Sequence, residues 1–263
     1  MVSTILVIER FDPAATLWLL RQTSSTRQRM EHAELSTTII VGGSSGIGQH
    51  LAQRRADRGD TVFITSRDES RANQVATEIG GKTIGLAVDL TKPDGIAGAL
   101  QPVTEVDYLV ITAIPQYFNT FAEFDPAQAI EAVTVKLVGY TATIRALFDR
   151  FTPDTSVVLF GGLAKDRPYP GSTVVTAFNG GVASLINTLA VELAPRRINA
   201  IHPGVVGDSP KWLGVRDSHP HIQRTPIGRL VTMDEIVDAV EFLLTNGGMN
   251  GANLTVDGGL MTS

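Results

Sequence analysis

Short apolar runs alternate with segments of helical spacing from residue 37 to the end of the chain. The apolar runs are rich in β-branched residues and predict strands at Thr37–Val41, Thr61–Thr65, Thr83–Val88, Asp107–Thr112, Ser156–Phe160, Ile198–Ile201 and Asn253–Val256. Between them, apolar residues recur every three to four positions, which predicts helices at Gly46–Arg58, Glu69–Ile79, Gln128–Phe148, Val174–Leu193 and Asp234–Leu244.

Strands that alternate with helices over short connections form βαβ units. The strands are apolar throughout, as expected when helices cover both sheet faces. The pattern therefore predicts an α/β fold, a doubly wound, Rossmann-like parallel sheet in one domain over residues 37–263. The long irregular stretch at about 205–230 follows the sixth strand, and ligands of such sheets bind at the carboxyl ends of strands, so we expect it to be a substrate lid.

Residues 1–36 differ from the rest of the chain. They contain apolar patches interrupted by Glu9, Arg10 and Asp12, which argues against a secretory signal. We expect a loosely ordered extension, or residues that precede the true start of the protein, for which Met30 is the candidate.

Composition narrows the function classes. The chain has 263 residues and no cysteine, which excludes disulfides, thiolate metal sites and cysteine nucleophiles. The net charge of −5 suggests no basic face for nucleic acid or anionic membranes. No apolar run approaches the about 20 residues of a membrane span. We expect a cytoplasmic protein that acts on a small molecule.

A glycine-rich turn directly follows the first predicted strand and opens the first helix. Gly42 allows a tight turn, Gly46 allows the backbone to approach a pyrophosphate, and Gly48 allows the helix to pack on the strand. The phosphates would then lie on the unpaired N–H groups of the helix start. Placed between a strand and a helix, this spacing predicts a dinucleotide site.

The end of the second strand bears on which dinucleotide is preferred. A carboxylate there would bind a ribose 2′-hydroxyl, whereas an arginine suits a 2′-phosphate. Ser66 is followed by Arg67, which favours NADP(H) over NAD(H), although a solvated surface arginine is the alternative. Asp89, after the third strand, would lie beside the adenine, or else it caps a turn.

These motifs resemble the short-chain dehydrogenase/reductase family. "GGSSGIG" is similar to its cofactor turn, "VDLT" to its adenine motif, and "LAVELAPRRINAIHPGVV" and "GRLVTMDEIVDAVEFLLTNGGMNGANLTVDGG" to its C-terminal half. The resemblance implies a nicotinamide cofactor and a homodimer or homotetramer. The cofactor-binding residues that it implies are Gly42, Ser44, Ser45, Gly46, Ile47, Gly48, Ser66, Arg67, Asp89, Leu90, Ala113, Asn179, Pro203 and Gly204.

The family's catalytic residues are absent where the resemblance places them. Its serine position falls on Gly162, its tyrosine position on Val175, its lysine position on Asn179 and its asparagine position on Lys136. None of the tyrosines (Tyr108, Tyr117, Tyr140, Tyr169) has a lysine four residues later. The sequence therefore predicts a cofactor site without the standard proton donor.

Three other residues are candidate catalytic groups. Tyr169, in the loop after the fifth strand, is the candidate acid, with Lys165 or Lys136 as its neighbour; packing on adjacent prolines is the alternative. Lys136 could polarise a carbonyl, or it is a surface lysine with an exposed head. Asn179 could hydrogen-bond a ribose.

No metal is expected, because His202, His219 and His221 lack further ligands at a clear spacing. Three functions remain: an NADP(H)-dependent oxidoreductase for a small carbonyl or alcohol, with a non-standard proton donor; a dehydratase, isomerase or cyclase in the same pocket; and a catalytically silent nucleotide-binding subunit. Fold alone does not choose among them.

Overall fold

Each predicted strand and helix has a counterpart in the computed structural model, which describes residues 35–262 except 116, 118 and 119. The fifth strand begins earlier than predicted, at Phe151, and the short helix Ile96–Ala99 was not predicted. The strands are β1 (Thr37–Val41), β2 (Thr61–Ser66), β3 (Lys82–Ala87), β4 (Val106–Ile111), β5 (Phe151–Phe160), β6 (Arg197–Pro203) and β7 (Asn253–Val256). The helices are α1 (Gly46–Asp57), α2 (Glu69–Ile79), α3 (Ile96–Ala99), α4 (Pro126–Val133), α5 (Tyr140–Leu147), α6 (Thr173–Glu192) and α7 (Met233–Thr245).

The described strands form one parallel sheet in the order β3-β2-β1-β4-β5-β6-β7. The strand order reverses beside β1, which is the arrangement of a doubly wound sheet and confirms the predicted fold class. Ile39 and Ile40 belong to apolar clusters on opposite faces, because neighbouring side chains of a strand point in opposite directions. Helices α1, α2 and α7 cover one face, and α3, α5 and α6 cover the other.

The predicted helix Gln128–Phe148 has a more complex form. It runs as α4, one π-helical stretch (Thr134–Gly139) and α5. A π-helical stretch inserts an extra residue in the helical turn and is frequent at functional sites. Lys136 lies inside it.

Helix α6 is the most apolar long helix among the described residues. Over its 20 residues it is long and apolar enough to cross a membrane, by length and composition only. No other helix in the described part of the chain passes this test. Its buried face includes Val182, Ile186 and Leu189, which join the core on the sheet, so its apolar character has an explanation within the fold.

A buried ion cluster joins α1 to α7. The guanidinium of Arg55 lies 2.6 Å from Glu241 and 3.4 Å from Asp60, and Arg58 contacts Glu241 at 3.0 Å. Arg55 also lies over the ring of Tyr108, 4.4 Å from its centroid. Burial makes such a cluster costly to break, because removal of one partner leaves a charge without its counter-ion.

Residues 205–230 form an irregular segment whose ends meet at a bridge between Val206 and Val231. One part of this segment lies against the glycine turn, since a Cβ on Gly46 would be 3.6 Å from the Cδ of Pro210. The segment therefore covers the carboxyl edge of the sheet, where a lid was predicted. The compact unit that holds the sheet begins at Ser36, and the prediction for residues 1–34 lies outside the described residues.

Candidate active site

The glycine turn has the close contacts that its sequence predicts. Gly42 and Gly46 have φ angles of +89° and +53°, which disfavour residues with a side chain. A Cβ on Gly48 would lie 2.4 Å from the carbonyl oxygen of Gly42, so α1 approaches the turn more closely than any other residue would permit. Ser45 precedes α1, and its side chain caps none of the helix N–H groups in the described structure. The turn thus fits a diphosphate, for which these N–H groups are suitable donors.

Two arginines lie near this turn. Arg67 is exposed directly after β2. Arg71, on α2, donates a hydrogen bond to the carbonyl oxygen of Ser44 at 3.3 Å. Sequence reasoning missed Arg71, although its position four residues after Arg67 could have indicated a second cation at the same edge.

Asp89, in the segment similar to the family's adenine motif, caps a turn after β3. The carboxylate of Asp89 accepts hydrogen bonds from the backbone N–H of Thr91 at 3.0 Å and from its hydroxyl at 2.7 Å. Partial burial opposes ionisation, but these hydrogen bonds and Lys92 hold the pKa of Asp89 below its ordinary value. Leu90 is buried against the π-helical stretch, where a Cβ on Gly139 would lie 2.8 Å from its carbonyl oxygen.

The positions at which the resemblance places the family's serine, tyrosine and lysine lie around one corner of the site. A Cβ on Gly162 would lie 2.8 Å from the Nδ2 of Asn179, so the two residues are in direct contact. Asn179 is 4% exposed, and its Oδ1 is a buried acceptor without a partner in the described residues. Val175 packs on an apolar cluster that contains Tyr117 and Phe178. An unsatisfied amide oxygen at this place fits a ribose hydroxyl, which would donate to it.

Lys136 and Tyr140 form a buried pair beneath the site. The Nζ of Lys136 donates to the Tyr140 hydroxyl at 2.9 Å and to the carbonyl oxygen of Phe160, at the end of β5. The Tyr140 hydroxyl donates to the carbonyl oxygen of Ala113 at 2.7 Å, just after β4. Lys136 is 1% exposed, so the alternative of a surface lysine with an exposed head is wrong.

Burial determines the ionisation of this pair. It lowers the pKa of Lys136 to about 7 and raises the pKa of Tyr140. A neutral amine has two N–H groups, and Lys136 uses two donors within the protein. The family's motif has a tyrosine followed four residues later by a lysine, whereas here Lys136 precedes Tyr140. Through their hydrogen bonds to Phe160 and Ala113, Lys136 and Tyr140 connect the ends of β5 and β4.

The ring of His202 supports the turn after β5 through a hydrogen bond to the backbone of that turn. Its Nδ1 accepts from the backbone N–H of Gly162 at 3.1 Å, and its Nε2 lies 2.8 Å from the Oδ1 of Asn253. A Cβ on Gly161 would be 2.3 Å from Nδ1, so the ring requires glycine there. Burial lowers the pKa of His202 and keeps the ring neutral. Gly204 follows and donates its N–H to the carbonyl oxygen of Val256 at 2.9 Å, which anchors the Pro203–Gly204 turn to β7.

Tyr169 borders an open cleft of about 480 Å³. The cleft is lined by Thr120, Phe121, Pro168, Tyr169, Pro170, Gly171, Ser172, Thr173 and Thr176. Tyr169 is 49% exposed, and partial burial raises its pKa. Lys165 pairs with Asp166 in the same loop. In the described residues no group of three or more His, Cys, Asp or Glu could hold a metal ion.

Known proteins resemble this chain in sequence and in fold. A family model described as "Enoyl-(Acyl carrier protein) reductase" matches residues 41–261. The 3-oxoacyl-[acyl-carrier-protein] reductase of Bos taurus is 27% identical over 230 residues, which are 84% of this chain and 96% of that protein. An uncharacterized short-chain type dehydrogenase/reductase of Sinorhizobium fredii is 27% identical over 246 residues, 89% of this chain but 45% of that longer protein.

Solved structures share the architecture. The 3-ketoacyl-(acyl-carrier-protein) reductase from Brucella melitensis, complexed with NADH, is 28% identical, with a TM-score of 0.76 over 86% of this chain and 98% of that one. A structure described as a short chain dehydrogenase/reductase family protein is also 28% identical, with a TM-score of 0.78 over 88% of this chain and 98% of that one. The chain belongs to the short-chain dehydrogenase/reductase family.

Proposed function

We propose that this protein is an NADP(H)-dependent oxidoreductase that acts on a small carbonyl or alcohol substrate with a non-standard proton donor. The observation that carries the proposal is the glycine turn at the uncapped start of α1, with Arg67 and Arg71 beside it. Arginine suits the 2′-phosphate because its planar guanidinium donates several hydrogen bonds to phosphate oxygens.

The proposed cofactor contacts follow from the shape of the site. Gly42, Gly46 and Gly48 leave room for the diphosphate at the start of α1. The Oδ1 of Asn179 would accept a hydrogen bond from a ribose hydroxyl, which gives this buried oxygen the partner that it lacks in the described residues. When bound, a nicotinamide dinucleotide supplies or accepts a hydride.

Tyr169 is the proposed proton donor to the substrate oxygen. Partial burial raises the pKa of its phenol, so the proton is present at neutral pH but leaves less readily than from an acid tuned to that pH. We therefore expect slow turnover of simple ketones. Lys136 would have a supporting role and not transfer a proton to the substrate, since its Nζ is buried and hydrogen-bonded to Tyr140 and Phe160.

A second function is favoured by Gly162 and Val175, which replace two hydroxyl groups of the family's site with groups that transfer no proton. These substitutions favour a catalytically silent nucleotide-binding subunit. In either case we propose a cytoplasmic homodimer or homotetramer that binds neither nucleic acid nor membranes, which fits the net charge of −5.

The first test measures NADPH binding through the fluorescence of the nicotinamide. The second test measures the reduction of a simple ketone. Tight binding with slow turnover is expected. Tyr169→Phe should lower kcat by about 100-fold or more, since general acids commonly contribute that much. Tyr117→Phe is the matched control, because Tyr117 packs in a neighbouring apolar cluster.

Absence of NADPH binding would overturn the proposed cofactor. Binding without turnover of any carbonyl would favour the silent subunit. A loss of kcat in Tyr117→Phe but not in Tyr169→Phe would reject Tyr169 as the donor.

A further inference from the structure

Lys136 and Tyr140 are polar side chains that the proposed proton transfer does not use, and both are completely buried. Lys136 is 1% exposed and Tyr140 is 0% exposed. Burial of an amine and a phenol is costly unless both groups are hydrogen-bonded. The Nζ of Lys136 also lies 4.9 Å from the centroid of the Tyr140 ring. The two side chains therefore form one unit, at a place where two apolar side chains would avoid the cost of burying polar groups.

Each member of this pair donates a hydrogen bond to a main-chain carbonyl at the end of a strand. The Tyr140 hydroxyl donates to the carbonyl oxygen of Ala113 at 2.7 Å, two residues beyond β4. Lys136 donates to the carbonyl oxygen of Phe160, the last residue of β5, and to the Tyr140 hydroxyl at 2.9 Å. Because β4 and β5 are neighbours in the sheet, the pair bridges the carboxyl ends of two adjacent strands.

Ala113 lies directly against the glycine turn. A Cβ on Gly42 would be 2.7 Å from the backbone nitrogen of Ala113, whose N–H donates to the carbonyl oxygen of Val41 at 3.1 Å. The hydroxyl of Thr112 donates to the carbonyl oxygen of Gly42 at 3.1 Å. These contacts leave little free space, and packed interiors transmit displacements. A shift of Ala113 would therefore displace the turn on which the diphosphate is proposed to lie.

Phe160 leads to a second wall of the site. Gly161 and Gly162 follow it, and the N–H of Gly161 donates to the carbonyl oxygen of Ile201 at 2.8 Å. Gly162 is in direct contact with Asn179, whose amide oxygen is proposed to bind the ribose. A shift of Phe160 would therefore displace the proposed ribose site.

The helical stretch that carries Lys136 is also fixed to a third strand end. It is the π-helical stretch Thr134–Gly139, and a Cβ on Gly139 would lie 2.8 Å from the carbonyl oxygen of Leu90, three residues beyond β3. Such stretches are frequent at functional sites. The stretch and the pair thus contact the segments that follow β3, β4 and β5.

We propose that Lys136 and Tyr140 are positioning residues for the nucleotide, because they hold the ends of β4 and β5 at the spacing that the nicotinamide half of NADP(H) requires. That the pair fixes the two strand ends is independent of the proposed function, whereas the service of this spacing to the nucleotide rests on it. The pair acts through Ala113 on the diphosphate and through Phe160 on the ribose, and neither side chain touches the nucleotide.

The first experiment compares two ligands in Tyr140→Phe and Lys136→Met. NADPH extends from Arg67 to Asn179 in the proposed site, whereas adenosine 2′,5′-bisphosphate has only the adenosine half, whose 2′-phosphate is proposed to lie at the end of β2. Strand β1 separates β2 from β4. Loss of a buried hydrogen bond at β4 or β5 should weaken NADPH binding about tenfold and weaken bisphosphate binding much less.

Tyr108→Phe is the matched control. It removes a phenol hydroxyl from β4 near the start of the strand, where the ring lies under Arg55. Both affinities should stay unchanged in this variant. A general loss of folded protein would weaken both ligands alike, so the ratio of the two affinities separates positioning from stability. Equal weakening of the two ligands, or no weakening of NADPH binding in Tyr140→Phe and Lys136→Met, would overturn the positioning of the nucleotide.

The second experiment needs no nucleotide. NMR measures hydrogen exchange at the backbone N–H groups of Ala113 and Gly161, which lie beside the two carbonyls that the pair holds. Exchange at these groups should be about tenfold faster in Tyr140→Phe than in the parent protein, and unchanged in Tyr108→Phe. Unchanged exchange in Tyr140→Phe would overturn the fixing of the strand ends. Faster exchange in a protein that does not bind NADPH would overturn the proposed function and leave that fixing standing.

Discussion

The amide of Asn179 occupies the space that a side chain at Gly162 would need, with Nδ2 2.8 Å from the Cβ of any such residue. The backbone of Gly162 is extended, with a φ of 176°, so the requirement for glycine comes from Asn179 and not from backbone strain. Two positions at which the sequence resemblance places catalytic residues of the family are therefore coupled by direct contact.

This contact predicts that Gly162→Ser destabilises the protein by about 1–3 kcal/mol, the usual cost of overpacking. Asn179→Ala makes room for the new side chain, so the double variant should recover part of that loss. Chemical denaturation of both single variants and the double variant measures the coupling. Purely additive effects would contradict the contact.

The arginines near the glycine turn predict the nucleotide preference. NADPH should bind more tightly than NADH, and Arg67→Ala or Arg71→Ala should each reduce the preference about tenfold or more, since a hydrogen bond to a charged group contributes about 1.5–3 kcal/mol. Dissociation constants for both nucleotides test this. Arg145→Ala, on the surface of α5, serves as control, and equal affinities in the parent protein would reject the proposed 2′-phosphate site.

The buried amine of Lys136 predicts a pH dependence of stability. Its pKa is about 7 in the folded protein and 10.5 in a model peptide, so the unfolded chain binds more protons between these values. Stability should therefore rise with pH across this window, by up to about 1.4 kcal/mol per pH unit. In Lys136→Met this rise should be smaller, as measured by urea denaturation at pH 7 and 9.

An equal rise in the parent protein and in Lys136→Met would show that Lys136 is charged in the folded state. Lys92→Met is a suitable control, because Lys92 is an exposed lysine paired with Asp89.

From the buried, neutral ring of His202 we expect the stability of the protein to decrease at acidic pH. Burial lowers its pKa, so the unfolded chain binds more protons just below pH 6.5, and the stability that the neutral ring contributes is lost as pH falls through that range. His202→Ala should cost about 1–3 kcal/mol, since Gly162 and Asn253 lose a buried partner. Thermal denaturation at pH 5.5 and 7.5 tests both effects.

His50→Ala provides the comparison, because that ring is partly exposed and pairs with the exposed carboxylate of Asp234. A smaller loss in His202→Ala than in His50→Ala would exclude a supporting role for His202.

The sequence predicted local features well. The period of the apolar residues placed each strand, and the glycine spacing placed the turn at the start of α1. These signals lie within short stretches of the chain, so they can be recognised without knowledge of the three-dimensional structure. The catalytic assignments stay predictions.

What the sequence did not predict depends on residues far apart in the chain. The hydroxyl of Tyr140 reaches Ala113 only through the packing of α5. Asn179 was a candidate from the sequence, but its contact with Gly162 depends on the packing of α6. No local pattern encodes such contacts, because they arise from the packing of whole elements on the sheet.

The ion cluster between α1 and α7 has a consequence for how the chain reaches its native state. Arg55 is 186 residues from Glu241, its nearer buried counter-ion. A nascent chain emerges from its N-terminus onwards, so among the described residues Asp60 is the one buried counter-ion of Arg55 that is present before α7 has been synthesised. The side of the sheet that carries α1 consequently completes its packing only after α7 has left the ribosome.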